Sequence, residues 1–235
     1  MNLPEYQKKH MLLLLASMLS LVLSASCSLL PFGSLFSSGS AVLATQPAGA
    51  IYYDDFSSNT SGWDRSETDL GGADYLDGKY HFIIDELNTD YFSTLYRNYA
   101  DIGLQVDAQW VEGPYDNNYG LLCRYQDEKN FYAGLISSDG YYGILKIENG
   151  KYTVLGHAAM LPSEILAIPD ATYHLRLECY QDSLFFYVND TLLDVQQDKT
   201  FASGDVGLLA GSFESAGVHV AFDDFYLIDL NQSSN

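Results

Sequence analysis

Residues 102–110 alternate between apolar and polar side chains, and this alternation constrains the fold more than any other feature of the chain. The apolar positions are Ile102, Leu104, Val106, Ala108 and Trp110. Successive side chains of a strand point to opposite faces, so such a run predicts a strand with one face toward a core and one toward solvent. Residues 173–179 and 218–222 repeat the pattern. The chain is therefore expected to consist largely of half-buried strands.

Tight-turn residues separate these strands. Asp77-Gly78 and Asn149-Gly150 are typical of two-residue hairpin loops, and Ser138-Asp139-Gly140 divides two further apolar runs. Residues 157–170 are the one candidate for a helical turn, and the prolines within them limit its length. About a dozen short strands in one domain predict an all-β fold, a two-sheet antiparallel sandwich over residues 50–230.

The composition fits strands and argues against one class of partner. The 235 residues are 47% hydrophobic and include 19 Tyr and 12 Phe, which suits a sizeable β core. Acidic residues outnumber basic ones by 31 to 11, for a formal net charge of -20. Phosphate recognition needs clustered cations, so we expect no nucleic-acid partner.

Residues 1–26 are typical of an export signal. A basic segment precedes an apolar run over residues 11–23, and small residues lead to Cys27. The ending Leu-Ser-Ala-Ser-Cys resembles the cleavage motif of bacterial lipoproteins, in which the cysteine is lipidated, although Ser24 stands where leucine is commoner. We expect a lipoprotein signal peptide, lipidation at Cys27 and an extracytoplasmic domain held to the cell membrane only by that lipid. An ordinary secretory signal cleaved nearby is the alternative.

Residues 27–49 are rich in serine, glycine, alanine and proline and carry no charge, a composition typical of linkers. We expect this segment to be a lipid-anchored linker in front of the sandwich, and residues 231–235 to be a C-terminal tail.

Cys123 and Cys179 remain once Cys27 is assigned to the lipid. An exported domain lies in an oxidising compartment, where two such cysteines can form a disulfide. Two buried free thiols are the alternative, because unpaired cysteine is among the most buried residue types.

Three segments carry a resemblance to a known superfamily. They are CRYQDEKNFYAGLISSDGYYGILKIENGKY from residue 123, YHLRLECYQDSLFFYVNDTLL from residue 173 and FASGDVGLLAGSFESAGVHVAFDDFYL from residue 201. Over roughly residues 51–229 the chain resembles the jelly-roll domains of the concanavalin A-like lectin/glucanase superfamily, and among them the laminin-G-like and 3-keto-disaccharide-hydrolase-like domains of exported bacterial proteins. The resemblance implies a jelly roll but no single activity, because the superfamily includes lectins, hydrolases and adhesion modules.

Catalysis has little support in the residue pattern. A retaining glycosidase needs two carboxylates about 5 to 5.5 Å apart. The Glu-x-Asp-x-x-Glu strand that usually supplies them in the superfamily is absent, and Asp85, Glu86 and Glu148 stand beside turns, where a solvated acid is the commoner explanation. We assign no catalytic residue. A glycoside-processing enzyme of the 3-keto-disaccharide-hydrolase type stays as an alternative, since such sites are assembled from distant loops.

A sugar-binding face has more support. The alternation that turns Leu121, Cys123 and Tyr125 toward the core turns Arg124 outward. The polar side of residues 102–110 carries Gln105, Asp107 and Gln109. Sugars are bound by aromatic rings together with planar side chains that form several hydrogen bonds. The predicted ligand-binding residues are Gln109, Arg124, Tyr132 and Tyr142. Outward tyrosines that only stabilise cross-strand pairs are the alternative.

Two pairs of aspartates predict a metal site. Asp54 and Asp55 open the first predicted strand, and Asp223 and Asp224 lie in the last. The terminal strands of jelly rolls often run side by side, and Ca²⁺ takes six to eight oxygen ligands, so the four residues predict a structural calcium site. Solvated acids that protect edge strands are the alternative.

These observations together predict an exported, lipid-anchored, carbohydrate-binding module without obvious catalytic residues. Its expected partner is a carbohydrate or another extracellular polymer. A glycoside-processing enzyme and a passive cell-surface adhesion or structural module are the alternatives.

Overall fold

Strands make up most of residues 46–231, the part of the chain that this computed structural model describes. Sheet A contains β1 (Ala50–Asp54), β2 (Ser66–Thr68), β3 (Gly71–Leu76), β4 (Lys79–Ile84), β6 (Ile102–Glu112), β12 (Thr172–Tyr180), β13 (Ser183–Val188), β14 (Thr191–Gln197) and β16 (Val218–Asp229). Sheet B contains β5 (Asp90–Thr94), β7 (Asn117–Asp127), β8 (Asn130–Ile136), β9 (Tyr141–Glu148), β10 (Lys151–Val154), β11 (Leu161–Pro162) and β15 (Asp205–Ser212). A short 3-10 helix, Glu164–Leu166, lies between β11 and β12. Within residues 46–231, no helix is long and apolar enough to cross a membrane.

The two sheets pack as an antiparallel sandwich. The strand order is β14-β13-β12-β6-β16-β4-β3-β2 in sheet A and β10-β9-β8-β7-β15-β5 in sheet B, while β1 pairs with β16 and β11 with β9. The all-β, two-sheet architecture predicted from the alternation is confirmed. β16 pairs with β4 through its first half and with β1 through its second, so the first and last strands lie side by side, as predicted.

The core between the sheets is formed by the apolar side of each alternating strand. Leu104 and Val106 of β6 and Phe222 of β16 are fully buried, as the alternation predicts. Trp63, from the segment between β1 and β2, packs edge-on against Phe225 of β16, with ring centroids 4.8 Å apart. Each such buried side chain contributes about 1.5 to 3 kcal/mol to folding.

A disulfide joins the two sheets across this core. Cys123 in β7 is bonded to Cys179 in β12, with Cα atoms 6.8 Å apart, and both side chains are fully buried. The structure therefore contains the pairing that the sequence allows, and the alternative of two free thiols does not apply.

Sheet B is strongly curved, and its face away from sheet A is concave. β10 and β5 are its two edge strands, yet Tyr152 of β10 is hydrogen-bonded to Asp90 of β5 at 2.6 Å. In a flat sheet, strands separated by five steps lie about 24 Å apart, farther than these two side chains reach. The concave face also carries a second buried apolar layer. Its members are Leu122, Phe131, Ala133, Leu135, Leu145, Ile147 and Leu209.

Candidate functional site

Arg124 does not lie on an exposed face, so its predicted place among the ligand-binding residues is wrong. Its side chain is 2% exposed. The guanidinium donates hydrogen bonds of 2.6 to 3.2 Å to the backbone carbonyls of Ala100, Gln181 and Phe201. Arg124 therefore ties three loops together inside the sandwich.

A bulge in β7 is the reason that the alternation fails here. Between the cross-strand pairs Leu122–Gly207 and Tyr125–Asp205, β7 contains one residue more than β15. Arg124 lies within this extra length with a φ of 52°, in the left-handed region. A bulge of this kind shifts all following side chains to the other face. Arg124 thus turns inward, and Tyr125 turns to the concave face rather than to the core between the sheets.

Tyr132 and Tyr142 also belong to the core, so the prediction that they line a binding face is wrong. Tyr132 is fully buried, and its hydroxyl donates a 2.5 Å hydrogen bond to Asp198 and accepts one from the Phe201 amide at 3.1 Å. Tyr142 is 9% exposed and donates to the Leu193 carbonyl at 3.2 Å. Because sheet B is apolar on both faces, alternation within its strands does not show which face is exposed.

Gln109 is half-buried on the outer face of sheet A, the face away from sheet B. Gln105 and Asp107 share this face, as predicted. The polar groups here are largely paired with one another: Lys79 donates to Gln109 at 3.5 Å, and the Asp107 carboxylate is 2.7 Å from His174. Of the four predicted binding residues, Gln109 is the one that lies on the outer face of sheet A. Its polar neighbours there already form hydrogen bonds with one another.

The four aspartates of the predicted calcium site do not come together as one set of ligands. Asp54 is 6% exposed and accepts hydrogen bonds from the Phe56 amide, the Trp63 indole and the Tyr52 hydroxyl. These donors turn its carboxylate away from the surface. Within residues 46–231, no group of three or more His, Cys, Asp or Glu side chains is arranged to hold a metal ion.

The other three aspartates are also used locally. Asp55 accepts from the amide and hydroxyl of Ser57, and Asp224 accepts a 2.5 Å hydrogen bond from Tyr53. Asp223 lies directly opposite Asp107 in the β16–β6 pair, and burial raises its pKa. The side-by-side strands were predicted correctly, but the orientation of the carboxylates was not. Cys27 lies outside the described residues.

A cleft of about 420 Å³ opens at the concave side of sheet B, and we call it the concave cleft. Its walls come from Asp64 and the start of β2, from β5 and the residues after it, and from the β7–β8 hairpin. Three carboxylates line it: Asp64, Asp90 and Glu128. The rings of Phe92, Tyr96 and Tyr125 are its aromatic part, whereas Tyr91, also in the lining, packs its ring on the core between the sheets. Two hydroxyls complete the lining: Ser66 and Thr94.

Tyr96 lies at the mouth of the concave cleft, and hydrogen bonds fix its backbone conformation. Its side chain is 75% exposed and its φ is 55°, which a tyrosine rarely adopts. The Asp205 carboxylate stabilises this backbone by accepting the Tyr96 amide at 2.7 Å and the Arg97 amide at 2.9 Å. The Tyr96 hydroxyl in turn donates to Asp64. An exposed aromatic ring fixed in a strained backbone is a common feature of ligand sites.

Tyr125 forms a second wall, close to the apolar layer. Its ring centroid is 6.1 Å from that of Phe92 and 5.6 Å from that of Phe131. Burial, with the nearby carboxylate of Glu128, raises the pKa of Tyr125 to about 12, so the phenol remains a neutral hydrogen-bonding group. The ring is half-buried and keeps part of its surface toward the cleft.

Asp90 lines the concave cleft and is half-buried. Its Oδ2 accepts the Tyr152 hydroxyl at 2.6 Å, and its Oδ1 is 3.5 Å from Asn118 Nδ2. A Cβ at Gly211 would collide with Asp90 Oδ1, so glycine leaves the space that the carboxyl occupies. Burial raises the pKa of Asp90. Asn118 is 5% exposed, and its Oδ1 has no partner among the described residues.

This arrangement suits a small polar ligand with apolar faces. The volume falls in the range of about 300 to 1,000 Å³ that is common for ligand sites. Carboxylates accept several hydrogen bonds each, and aromatic rings pack against C–H surfaces. The concave cleft combines both kinds of group in its lining.

The sequence analysis did not identify the cleft residues. Asp64, Asp90, Tyr96 and Glu128 come from four separate segments, and Tyr125 was expected in the core. One signal was present: Tyr96 lies in the polar run Tyr96-Arg97-Asn98 after an apolar strand, where an aromatic residue is not needed for packing.

Comparisons with known proteins support the fold. No protein-family model and no curated protein matches the chain. Among solved structures, the carbohydrate-binding module CBM66 from Bacillus subtilis is similar, with a TM-score of 0.57, 21% identity and 72% of this chain and 97% of that chain covered. A galectin-like protein of unknown function from Bacillus subtilis has a TM-score of 0.55, 14% identity and coverage of 78% and 97%.

A GH43 protein from Bacillus licheniformis is also similar, with a TM-score of 0.56 and 15% identity, and the match covers 75% of this chain and 39% of that protein. Identities this low establish the fold and no more. The chain has the concanavalin A-like jelly-roll β-sandwich that its sequence resembles.

Proposed function

We propose that this protein is an exported carbohydrate-binding module that holds a saccharide in the concave cleft. The observation that carries the proposal is that one cleft of about 420 Å³ is lined by the aromatic residues Phe92, Tyr96 and Tyr125 together with three acidic side chains. Rings that pack on sugar C–H faces and oxygens that accept sugar hydroxyls are the two requirements of saccharide recognition.

The structural neighbours are compatible with this proposal. One is a carbohydrate-binding module by name, one has a galectin-like fold, and one belongs to GH43. Because this fold supports many functions, the site carries the argument and the neighbours only agree with it.

A glycan-array screen of the purified protein tests the proposal. We expect saturable binding to one class of saccharide. Tyr96→Ala should weaken it at least about tenfold, because a ring at the mouth of the cleft is lost. Tyr180→Ala is the matched control, since Tyr180 is 37% exposed in β12 of sheet A. A folded sample that binds no glycan, or equal loss in both variants, would contradict the proposal.

A glycoside-processing enzyme is the second candidate. Asp64, Asp90 and Glu128 line one cleft, and burial raises the pKa of Asp90, which favours its acid form. A protonated acid beside a carboxylate is what glycoside hydrolysis requires. Release of reducing ends from the saccharide that binds, abolished in Asp90→Asn but not in Glu214→Gln, would establish this activity. Binding without turnover would leave the module as proposed.

Lipid anchoring at Cys27 and an extracytoplasmic location complete the proposal. Their support is the sequence alone: the export signal and the Leu-Ser-Ala-Ser-Cys ending. Labelled fatty acid should be incorporated into the wild-type chain in its host and not into Cys27→Ser. Export of Cys27→Ser in a soluble, processed form would still fit, whereas unlabelled wild-type protein would point to an ordinary secretory signal.

A further inference from the structure

We infer that the saccharide of the concave cleft carries a protonated amino group, so that its class is the amino sugars with a free amine. This inference rests on the proposed function, because it names the kind of saccharide that the same cleft would take. The charge and the aromatic rings of the cleft support it.

All ionisable Asp, Glu, Lys or Arg side chains that line the cleft are acidic. Of its nine residues, Asp64, Asp90 and Glu128 are acidic and none is Lys or Arg. A sugar that carries a carboxylate or a sulfate would be repelled by these acids, because the lining contains no cation. A neutral sugar would not be attracted by their negative potential. A sugar with an ammonium group would be attracted by the carboxylates of Asp64 and Glu128.

The carboxylates keep free lone pairs for such a ligand. Asp64 accepts the Tyr96 hydroxyl and the Thr94 amide, the latter at 3.3 Å, and it has two oxygens with about four acceptor sites. Glu128 is exposed in the β7–β8 turn at the rim. An ammonium group has three donors and no acceptor, which matches a lining with an excess of acceptors.

The aromatic walls favour the same ligand. An ammonium within about 6 Å of a ring centroid is attracted by the negative face of the ring. Tyr96 and Tyr125 line the same cleft as Asp64 and Glu128, and the Tyr96 hydroxyl donates to Asp64. Rings beside carboxylates can therefore bind the charged nitrogen and the adjoining C–H surface of one sugar residue together.

A buried polar side chain next to Asp90 has one unpaired atom. Asn118 is 5% exposed, and its Oδ1 has no partner among the described residues. This oxygen and Asp90 Oδ1 lie together above Gly211, where a Cβ would stand 2.7 Å from the Asn118 oxygen. A buried acceptor without a donor costs about 1 to 3 kcal/mol. Because this oxygen is itself buried and Asn118 is not part of the cleft lining, it belongs to the wall behind Asp90 and is not counted among the ligand contacts.

The test compares sugars that differ at one substituent. The panel contains glucose, galactose and mannose types, each as the neutral sugar, the N-acetylated amino sugar and the free amino sugar, titrated against the full chain by calorimetry at low salt. Spermidine is included as a cation that is not a sugar. We expect the free amino sugar of one type to bind at least about tenfold more tightly than its neutral and acetylated forms, with a gap that narrows as salt is added.

Variants locate the effect. Glu128→Gln and Asp64→Asn should each reduce the preference for the free amine several-fold, while Glu214→Gln, an exposed acid on the β15–β16 turn, should leave it unchanged. Because Glu128 is exposed, its variant is expected to fold even if Asp64→Asn does not.

The outcomes separate the two proposals. Equal or tighter binding of the neutral or acetylated form, lost in Tyr96→Ala, overturns the amino-sugar inference and leaves the carbohydrate-binding function standing. No binding to any sugar in a folded sample overturns both. Spermidine binding that equals the best sugar, with no difference among sugar types, also overturns both, because the cleft would then recognise cations in general.

Discussion

Tyr152 and Asp90 lie in the two opposite edge strands of sheet B, and the Tyr152 hydroxyl donates a 2.6 Å hydrogen bond to the Asp90 carboxylate. The bond spans the concave face, over the buried apolar layer. Asp90 also lines the concave cleft, so the residue that connects the two edges is part of the candidate site. Curvature of the sheet and shape of the cleft are therefore linked through one carboxyl group.

Stability should depend on pH through Asp90. Burial raises its pKa in the folded state, so the folded protein holds a proton that the unfolded chain releases. From about pH 4, the ordinary pKa of an aspartic acid, up to the raised value, the contribution of Asp90 to stability is lost as pH rises. Asp90→Asn removes this titration. Relative to wild type, the free energy of unfolding of the variant should therefore increase with pH across this window.

Urea unfolding from pH 4 to pH 7 measures the effect, with Asp116→Asn, an exposed acid before β7, as the control. A constant difference between wild type and Asp90→Asn over the whole window would contradict the prediction.

The disulfide between the sheets should be worth several kcal/mol. Cys123 and Cys179 are 56 residues apart, and closing a loop of this length in the unfolded chain corresponds to about 4 kcal/mol. We expect the double variant Cys123→Ala, Cys179→Ala to lose stability of this order, and reductant to lower the melting temperature of the wild type but not of the variant. A reductant effect that is equal in both proteins would exclude the bond as its source.

Arg124 should act on stability and not on binding. Lysine at this position can keep the charge but not the planar arrangement that reaches the carbonyls of Ala100, Gln181 and Phe201. We expect Arg124→Lys to cost about 3 kcal/mol, since buried charge-assisted hydrogen bonds are lost. Arg65→Lys, in an exposed pair with Asp74, should cost less than about 1 kcal/mol.

The same variants distinguish the structural role from the binding role that the sequence suggested. Saccharide affinity per folded molecule should be equal in wild type and Arg124→Lys. If Arg124→Lys were as stable as wild type but bound the saccharide more weakly, Arg124 would be a binding residue as the sequence suggested.

Calcium should have little effect on stability. Asp54 already accepts three hydrogen bonds from protein donors, and Asp224 is bonded to Tyr53. We therefore expect the melting temperature to be the same with millimolar calcium and with chelator. A calcium-dependent rise that disappears in Asp224→Asn would restore the predicted calcium site between β1 and β16.

The sequence was sufficient for the fold wherever alternation was regular. In β6, every second residue from Ile102 to Ala108 is buried, and Gln105 and Asp107 face outward as expected. Such strands have one apolar face, so their orientation follows from the residues alone.

Prediction failed where the backbone interrupts the alternation. In β7, one extra residue relative to β15 turns Arg124 inward and Tyr125 to the concave face, the reverse of the expected order. Nothing in the letters Cys-Arg-Tyr-Gln-Asp marks this bulge, because arginine at a positive φ is uncommon and its stabilisation comes from distant carbonyls. Tyr125 became a cleft residue by this shift.

There is a second reason why the cleft could not be predicted from the sequence. Asp64, Asp90 and Glu128 line one cleft but come from three separate segments, and the packing of the strands rather than a local motif brings them there. A sequence pattern can indicate that a strand is apolar on both faces. It does not show which other strands come close to the edges of the sheet.

The most direct test of the account is to map the saccharide onto the protein by NMR. Backbone amide signals are recorded while the best saccharide from the array is titrated, and the shifts are assigned to residues. We predict that the largest changes fall on Thr94, Tyr96 and Tyr125 around the concave cleft. Changes centred instead on Gln109 and its neighbours, on the outer face of sheet A, would show that the saccharide binds elsewhere and would contradict the central claim.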